Sequence, residues 1–304
     1  MNTCADGSCC GKGVAEGPIV MPDTYDHDLP WKFYNHLIGQ IPEDVLVVDC
    51  CVGSGWTYVQ AESGMGLSYT LTGGSRARYS GRVDGLPLRN VAELAKSWNW
   101  REASIGVAAL NAWYSTSEHV LALGGKLGPI GKQESTMDIR SDTKNLGNNT
   151  EGDAGAAAKP GNLMNPFMFL RERYTNKSVT VIGHFPDVHD MVDICKLTVL
   201  ERNCSDPADT PDPACEYLLP KQDFVFTTGV TVINKTAPRV LDLSKNATVV
   251  MLGPSVIASD FLFKWGVDVL AGRVVEDIEL AKTAVKQGSR FKGALRMFSI
   301  EQSN

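Results

Sequence analysis

The stretch that decides the fold is SVTVIGHFPD, residues 178–187. Its first five residues form an apolar, largely β-branched run, and the residues from Gly183 onward are typical of a turn. A second run of the same kind is TVVML, residues 248–252. Strands that are apolar on both faces are typical of a parallel sheet covered by helices. The sequence therefore predicts an α/β fold for this half of the chain.

Strands and helices alternate on both sides of this stretch. The predicted strands are 178–185, 196–201, 223–228, 247–252 and 267–270. The predicted helices are 188–195, 231–243, 259–266 and 275–287. This alternation predicts a doubly wound, mostly parallel sheet.

The first half of the chain has a different pattern. Residues 29–38 carry apolar side chains at helical spacing, and short β-branched or apolar runs follow at 45–52, 56–59 and 66–71. Helical spacing returns from Arg89. Strands followed by helices indicate an α+β domain. The predicted organisation is a flexible Cys-rich arm at 1–28, an α+β domain at 29–114, a polar linker or insertion at 115–162, and an α/β domain at 163–304.

Composition limits the classes of function. The 304 residues are 43% hydrophobic and 21% charged, which is typical of a globular protein. The net charge is -6 and there is no basic stripe, so we expect no nucleic-acid partner. Because no apolar run is long enough to cross a bilayer and no signal-peptide pattern opens the chain, we expect a cytoplasmic protein without a membrane partner. Homo-oligomerisation is left open.

Polar residues follow the predicted strands, where ligands bind in doubly wound sheets. His184 lies at the end of the first strand, and an imidazole there suits metal binding or proton transfer, although a hydrogen-bonded loop histidine is the common alternative. Glu201 ends the next strand and Thr228 the third. Asn234 and Ser255 suit either anion binding or simple capping.

Two further observations bear on the cofactor. Gly183 is not followed by G-x-G-x-x-G spacing, so the chain has no ordinary NAD fingerprint. Glu102, near a helix start, suits a ligand or base, or merely complements the helix dipole.

The cysteines offer a second candidate metal site. Cys4, Cys9 and Cys10 lie close together in the Gly-rich arm, where thiolates suit a soft or transition metal ion. An unstructured tail without metal is the alternative. Cys50 and Cys51 point to opposite faces of a strand and cannot ligate one ion.

Short sequence strings carry a family resemblance along most of the chain. They are PED 42–44, GLPL 85–88, KSWN 96–99, EASIGVAALNA 102–112, VIGHFP 181–186, NKT 234–236, LGPS 252–255 and LAG 270–272. On these strings the chain is identified as a member of the heavy-metal chelation protein family, formerly domains of unknown function 364 and 4213.

The resemblance implies an enolase N-terminal-like domain packed on an atypical Rossmann-like domain, with a ligand site in the interdomain cleft. The residues it implies for that cleft are Glu102, Asn111, His184, Glu201, Thr228, Asn234 and Ser255. The implied function is heavy-metal chelation or the binding of a metal chelate, with the metal ion or another small molecule as partner and His184 as a candidate metal ligand. The Cys-rich arm before residue 29 and the polar stretch at 115–162 depart from the family pattern, so Cys4, Cys9 and Cys10 are candidate ligands on their thiol chemistry alone.

Two other classes of function remain open at this stage. One is an enzyme that acts on a small anionic or nucleotide-like substrate, such as a methyltransferase-like transfer, with His184 or Glu102 as acid or base. The other is a structural or regulatory protein without a small ligand.

Overall fold

A computed structural model of the chain describes residues 29–79, 81–129 and 164–302. The predicted Cys-rich arm and most of the predicted linker lie outside the described residues. Within the described ranges, the longest helix has 15 residues, and none is long and apolar enough to cross a membrane.

The first domain is a three-stranded antiparallel sheet packed against helices, in agreement with the α+β prediction. Helix α3 packs directly on this sheet. A Cβ added at Gly66 would lie 2.1 Å from the backbone nitrogen of Ala112, so only glycine permits this approach. The elements are α1 Leu29–Gly39, β1 Val47–Val52, β2 Trp56–Ala61, β3 Gly64–Tyr69, α2 Leu88–Ala92, a 3-10 turn Glu93–Lys96, and α3 Trp100–Tyr114.

The second domain is built on an eight-stranded sheet, ordered β4-β11-β10-β9-β8-β5-β6-β7. The pairs from β10 to β7 are all parallel, whereas β11 runs antiparallel to both of its neighbours. The predicted mostly parallel sheet is therefore confirmed. Its strands are β4 Lys126–Leu127, β5 Ser178–Ile182, β6 Lys196–Glu201, β7 Asp209–Pro211, β8 Phe224–Thr228, β9 Thr248–Leu252, β10 Val269–Val275 and β11 Leu295–Glu301.

Short helices and 3-10 turns connect these strands. The helices are α4 Ser117–Ala122, α5 Pro166–Phe169, α6 Arg171–Tyr174, α7 Cys215–Leu218, α8 Val230–Ile233, α9 Ala237–Leu243, α10 Phe261–Lys264 and α11 Ile278–Gln287. The 3-10 turns are Pro186–Met191, Asp212–Ala214 and Leu219–Lys221.

The structure differs from the sequence-based boundaries at several places, and strand β11 was not predicted. Residues 115–129, predicted to begin a polar linker, contain α4 with its buried Val120 and the edge strand β4, because Leu127 pairs with Phe298. The helix predicted at 231–243 is broken into α8 and α9, since Lys235 between them has a left-handed φ of 68°. The helix predicted at 188–195 is instead the 3-10 turn Pro186–Met191.

The two domains share one apolar core. The hydroxyl of Tyr34 in α1 donates to the carbonyl of Val232 in α8 at 2.8 Å. The ring of Phe33 lies edge-on to Trp265, with centroids 5.2 Å apart. A large apolar interface opposes relative domain motion, so we infer that the surface where the domains meet is preformed.

Candidate functional site

The carboxyl ends of β5, β6, β8 and β9 lie along one edge of the parallel sheet, where the loops that follow them are close together. Gly183 has a φ of 98°, and a Cβ there would lie 3.3 Å from the Cγ2 of Thr228. A Cβ at Gly229 would lie 2.6 Å from the carbonyl carbon of Ser255. The loops after β5, β8 and β9 therefore form one continuous surface.

Thr228 and Ser255 are both engaged within this surface. The Thr228 hydroxyl accepts the N–H of Val230 at 3.3 Å, which caps the start of α8. Ser255 is 2% exposed, and its Oγ accepts the N–H of Tyr69 from the first domain at 2.8 Å. Ser255 thus forms a hydrogen bond between the two domains beside the candidate site.

Glu102 lies in the first turn of α3 and is 4% exposed. One carboxylate oxygen accepts the backbone N–H groups of Arg78 and Tyr79, at 2.6 and 2.7 Å. The other accepts the Ser97 hydroxyl at 2.5 Å. These three donors stabilise the buried carboxylate. Glu102 therefore fixes the segment before α2 against the start of α3.

Asn111 lies further along α3. Its side chain is buried, and both its amide nitrogen and its oxygen are hydrogen-bonded. Its amide donates to the carbonyl of Leu67 at 2.7 Å, and its oxygen accepts the hydroxyl of Ser115 at 2.9 Å. That hydroxyl also accepts the N–H of Ala258 at 3.3 Å. These contacts give Asn111 a part in the packing of α3 against β3 and the second domain.

His184 and Glu201, both predicted site residues, are in direct contact. The imidazole Nδ1 lies 3.3 Å from Glu201 Oε1, which also accepts the backbone N–H of His184 at 2.8 Å. On the other side, Nε2 lies 3.3 Å from Oδ1 of Asp209, whose side chain is 1% exposed. The His184 side chain is 39% exposed. The imidazole is thus oriented by two carboxylates and still reaches solvent.

The segment after α8 forms a tight turn around Lys235. The side-chain oxygen of Asn234 accepts the backbone N–H of Thr236 at 3.1 Å and its hydroxyl at 2.6 Å. Lys235, between them, donates from Nζ to the carbonyl of Ile233 at 2.8 Å. Burial lowers the pKa of Lys235 to about 7, although the Glu102 carboxylate partly opposes this shift.

Two cation–aromatic contacts join the domains at this edge. The guanidinium of Arg202, just after β6, lies 5.4 Å from the ring centroid of Trp100. Lys235 Nζ lies 5.9 Å from the ring centroid of Trp98. Both distances are within the range of a cation–π attraction. The cations Arg202 and Lys235 of the second domain and the indoles Trp98 and Trp100 of the first therefore line one side of the candidate site, which we call its wall.

Sequence reasoning missed this wall. Lys235 stands inside the NKT string, and Trp98 inside KSWN, but neither was assigned a role of its own. Arg202 directly follows Glu201 at the end of a predicted strand. That strand-end position was a signal that could have identified it.

Metal-ligating side chains are not grouped into a metal site in the described part of the chain. It contains no group of three or more His, Cys, Asp or Glu residues arranged to hold a metal ion. The five described cysteines are separate thiols, and burial raises the pKa of Cys50 to about 12. Cys4, Cys9 and Cys10, the other candidate ligands, lie outside the described residues.

Comparisons with known proteins cover both domains. The sequence model of the DUF364 family, described as "Putative heavy-metal chelation", matches residues 165–302, and that of DUF4213, with the same description, matches 34–114. An uncharacterized protein from Methanocaldococcus jannaschii is 26% identical over 279 residues, which cover 88% of this chain and 94% of that protein.

Two solved structures are also similar. A DUF364-family protein of unknown function from Desulfitobacterium hafniense has a TM-score of 0.70 and 30% identity, covering 90% of this chain and 98% of that one. Another from Pyrococcus horikoshii has a TM-score of 0.64 and 22% identity, covering 89% of this chain and 98% of that one. The second likeness supports the fold alone.

Proposed function

Because this chain belongs to the DUF364 family, we propose that it binds a negatively charged metal chelate at the edge where its two domains meet. The description of the family as a heavy-metal chelation family supports a metal-containing ligand. The side chains at the domain junction support the chelate form of that ligand.

The observation that carries the proposal is the pair of cations held over indole rings. Arg202 and Lys235 come from two different loops of the parallel sheet, and both face tryptophans of the first domain. Guanidinium and ammonium groups suit the carboxylate or phosphate groups of an organic chelator. The indoles add apolar surface, and Trp98 is 44% exposed.

The donor set of the described residues fits a chelate better than a bare ion. A bare heavy-metal ion needs several His, Cys or carboxylate ligands from the protein. In the described ranges no such group of three exists. A chelated ion arrives with most of its ligands already supplied, so a single protein nitrogen is enough to complete its coordination.

His184 is the residue we propose for that nitrogen. Its side chain is 39% exposed and stands at the carboxyl end of β5, next in sequence to Gly183. Glu201 contacts Nδ1 and Asp209 contacts Nε2. A metal on either nitrogen must displace the carboxylate there, and the other carboxylate then orients the ring, as is common for metal-bound histidines. The Thr228 side chain lies beside Gly183 on the same surface.

The test compares Ni2+ ion with Ni2+–citrate by isothermal titration calorimetry on the full chain. A Cys4→Ser, Cys9→Ser, Cys10→Ser variant removes the arm thiols as a separate site for the bare ion. In this variant we expect Ni2+–citrate to bind at least about ten times more tightly than Ni2+ or citrate alone.

Variants of the wall complete the test. Arg202→Gln should weaken chelate binding, whereas Lys221→Met, which removes an exposed cation elsewhere, should leave it unchanged. Equal binding of chelate and bare ion, or an Arg202→Gln variant that binds normally, would contradict the proposal.

A further inference from the structure

Lys235 occupies a backbone conformation that costs free energy for any residue with a side chain. Its φ of 68° lies in the left-handed region, where glycine is the favoured residue. The turn is enforced by Asn234, whose side-chain oxygen binds both the N–H and the hydroxyl of Thr236. A lysine at such a position is a candidate functional residue.

The ammonium group of Lys235 has no ion-pair partner among the described residues. It contacts the Ile233 carbonyl, at 2.8 Å, and the face of Trp98. Glu102 is the charged group that faces it, but both oxygens of that carboxylate already accept other donors. The surroundings therefore stabilise the charged amine poorly.

Lys235 is only half-buried. The indole of Trp98, over which its amine lies, is 44% exposed, so this part of the domain junction is in contact with solvent. A lysine that is half-buried and has no ion-pair partner among the described residues has the features of a nucleophilic amine. Burial shifts the pKa of Lys235 to about 7, so charged and uncharged forms of the amine are both present at neutral pH.

We infer that Lys235 forms an imine with an aldehyde or ketone that carries an acidic group and binds at the domain junction. This inference shares the site of the proposed function but requires no metal. Arg202, on the neighbouring loop, suits the acidic group of such a compound.

The chemical step is a condensation between the amine and the carbonyl. The Nζ lone pair attacks the carbonyl carbon, a C–N bond forms, and the carbonyl π electrons move to oxygen, which takes up a proton as nitrogen releases one. The C–O bond then breaks, oxygen leaves as water with a second proton, and nitrogen loses its remaining proton to give the neutral imine. Amine plus carbonyl thus yields imine plus one water, without an oxidant or reductant.

The experiment treats the full chain with glyoxylate and sodium cyanoborohydride, which reduces an imine to a stable secondary amine. Peptide mass mapping then gives the labelling rate at each lysine. At pH 7 we expect Lys235 to be labelled at least about ten times faster than the exposed residues Lys221 and Lys264. The Lys235 rate should rise between about pH 6 and 8 and then level off.

Two variants separate loss of the Lys235 amine from loss of folding. Lys235→Arg keeps the charge but removes the nucleophile, and Lys235→Gly suits the left-handed backbone. In both, the fast-labelled peptide should disappear while the circular dichroism spectrum stays that of the unaltered protein. A Lys235 that is labelled no faster than Lys221 in the folded protein would overturn the inference.

The same preparations are titrated with Ni2+–citrate, which separates the two proposals. Fast labelling of Lys235 without chelate binding would contradict only the chelate proposal. Chelate binding with slow labelling would contradict only imine formation.

Discussion

The guanidinium carbon of Arg202 lies 5.4 Å from the centre of the Trp100 indole, and this contact joins the second domain to the first. Arg202 is held in place by Asp212, whose Oδ2 accepts from Nε at 2.8 Å. A planar cation between a carboxylate and an indole is strongly oriented. The wall of the candidate site therefore has a fixed geometry before any ligand arrives.

Replacing Arg202 with lysine tests this orientation. Arg202→Lys keeps the positive charge but loses the planar stacking on Trp100 and the Nε hydrogen bond to Asp212. We expect Ni2+–citrate binding to weaken about five- to ten-fold, corresponding to about 1 kcal/mol. The matched control is Arg173→Lys, at a half-exposed arginine paired with Glu301. Equal binding by the two variants would mean that charge alone matters at this position.

Replacing His184 with alanine separates a ligand role from a packing role. The imidazole is 39% exposed, and the buried Asp209 keeps the N–H groups of Ser205 and Asp206, both at 2.9 Å. We therefore expect the free energy of unfolding to fall by less than about 1 kcal/mol while binding of Ni2+–citrate is largely lost. A large fall in melting temperature with unaltered binding would instead identify a structural histidine.

Lys235 should make the stability of the protein depend on pH. Its pKa of about 7 in the folded chain lies below the ordinary value of 10.5, so between these values the unfolded chain binds more protons. Stability from this group therefore rises as pH increases from about 7 to about 10. Relative to Lys235→Met, the unaltered protein should gain about 2 kcal/mol over that window, measured by urea unfolding. A pH-independent difference between the two proteins would contradict the shifted pKa.

Replacing Glu102 tests how much its hydrogen bonds to the segment before α2 and to Ser97 contribute to stability. Glu102→Gln keeps the size of the side chain but sets an NH2 group against donors from Arg78, Tyr79 or Ser97. Leaving buried donors unpaired costs roughly 1 to 3 kcal/mol, which urea unfolding measures. Glu279→Gln, at an 83% exposed carboxylate, is the control and should change little. A Glu102→Gln variant as stable as this control would show that the three donors are satisfied in another way.

The fold was more predictable than the site because apolar periodicity is a local signal. The runs at 178–182 and 248–252 identified strands β5 and β9 and the parallel sheet. The two-residue strand β4 was not predictable, because it is a strand only through its pairing with β11. The break at Lys235 was missed for a similar reason, since its left-handed φ depends on the side-chain contacts of Asn234.

The candidate site was partly predictable. The contact of His184 with Glu201 follows from two strand ends at one edge of a parallel sheet. Lys235 and Arg202 gain their chemistry from tryptophans of the other domain, and no spacing within one segment indicates such a contact. The role of Asn111 in packing depends likewise on the positions of Leu67 and Ser115.

Gly229 links the packing of the sheet to the shape of the site. Its backbone approaches the loop after β9 so closely that a Cβ would lie 2.6 Å from the carbonyl carbon of Ser255 and from the nitrogen of Val256. Gly229→Ala must push this loop away and strain the Ser255 contact with Tyr69, so we expect a loss of about 1 to 3 kcal/mol in urea unfolding. Gly55→Ala, with no atom within 4 Å of the added Cβ, is the matched control and should change stability by less than about 1 kcal/mol. Since Ser255 fastens the two domains, Gly229→Ala should also weaken Ni2+–citrate binding, and normal binding by a destabilised variant would show that the site does not depend on this approach.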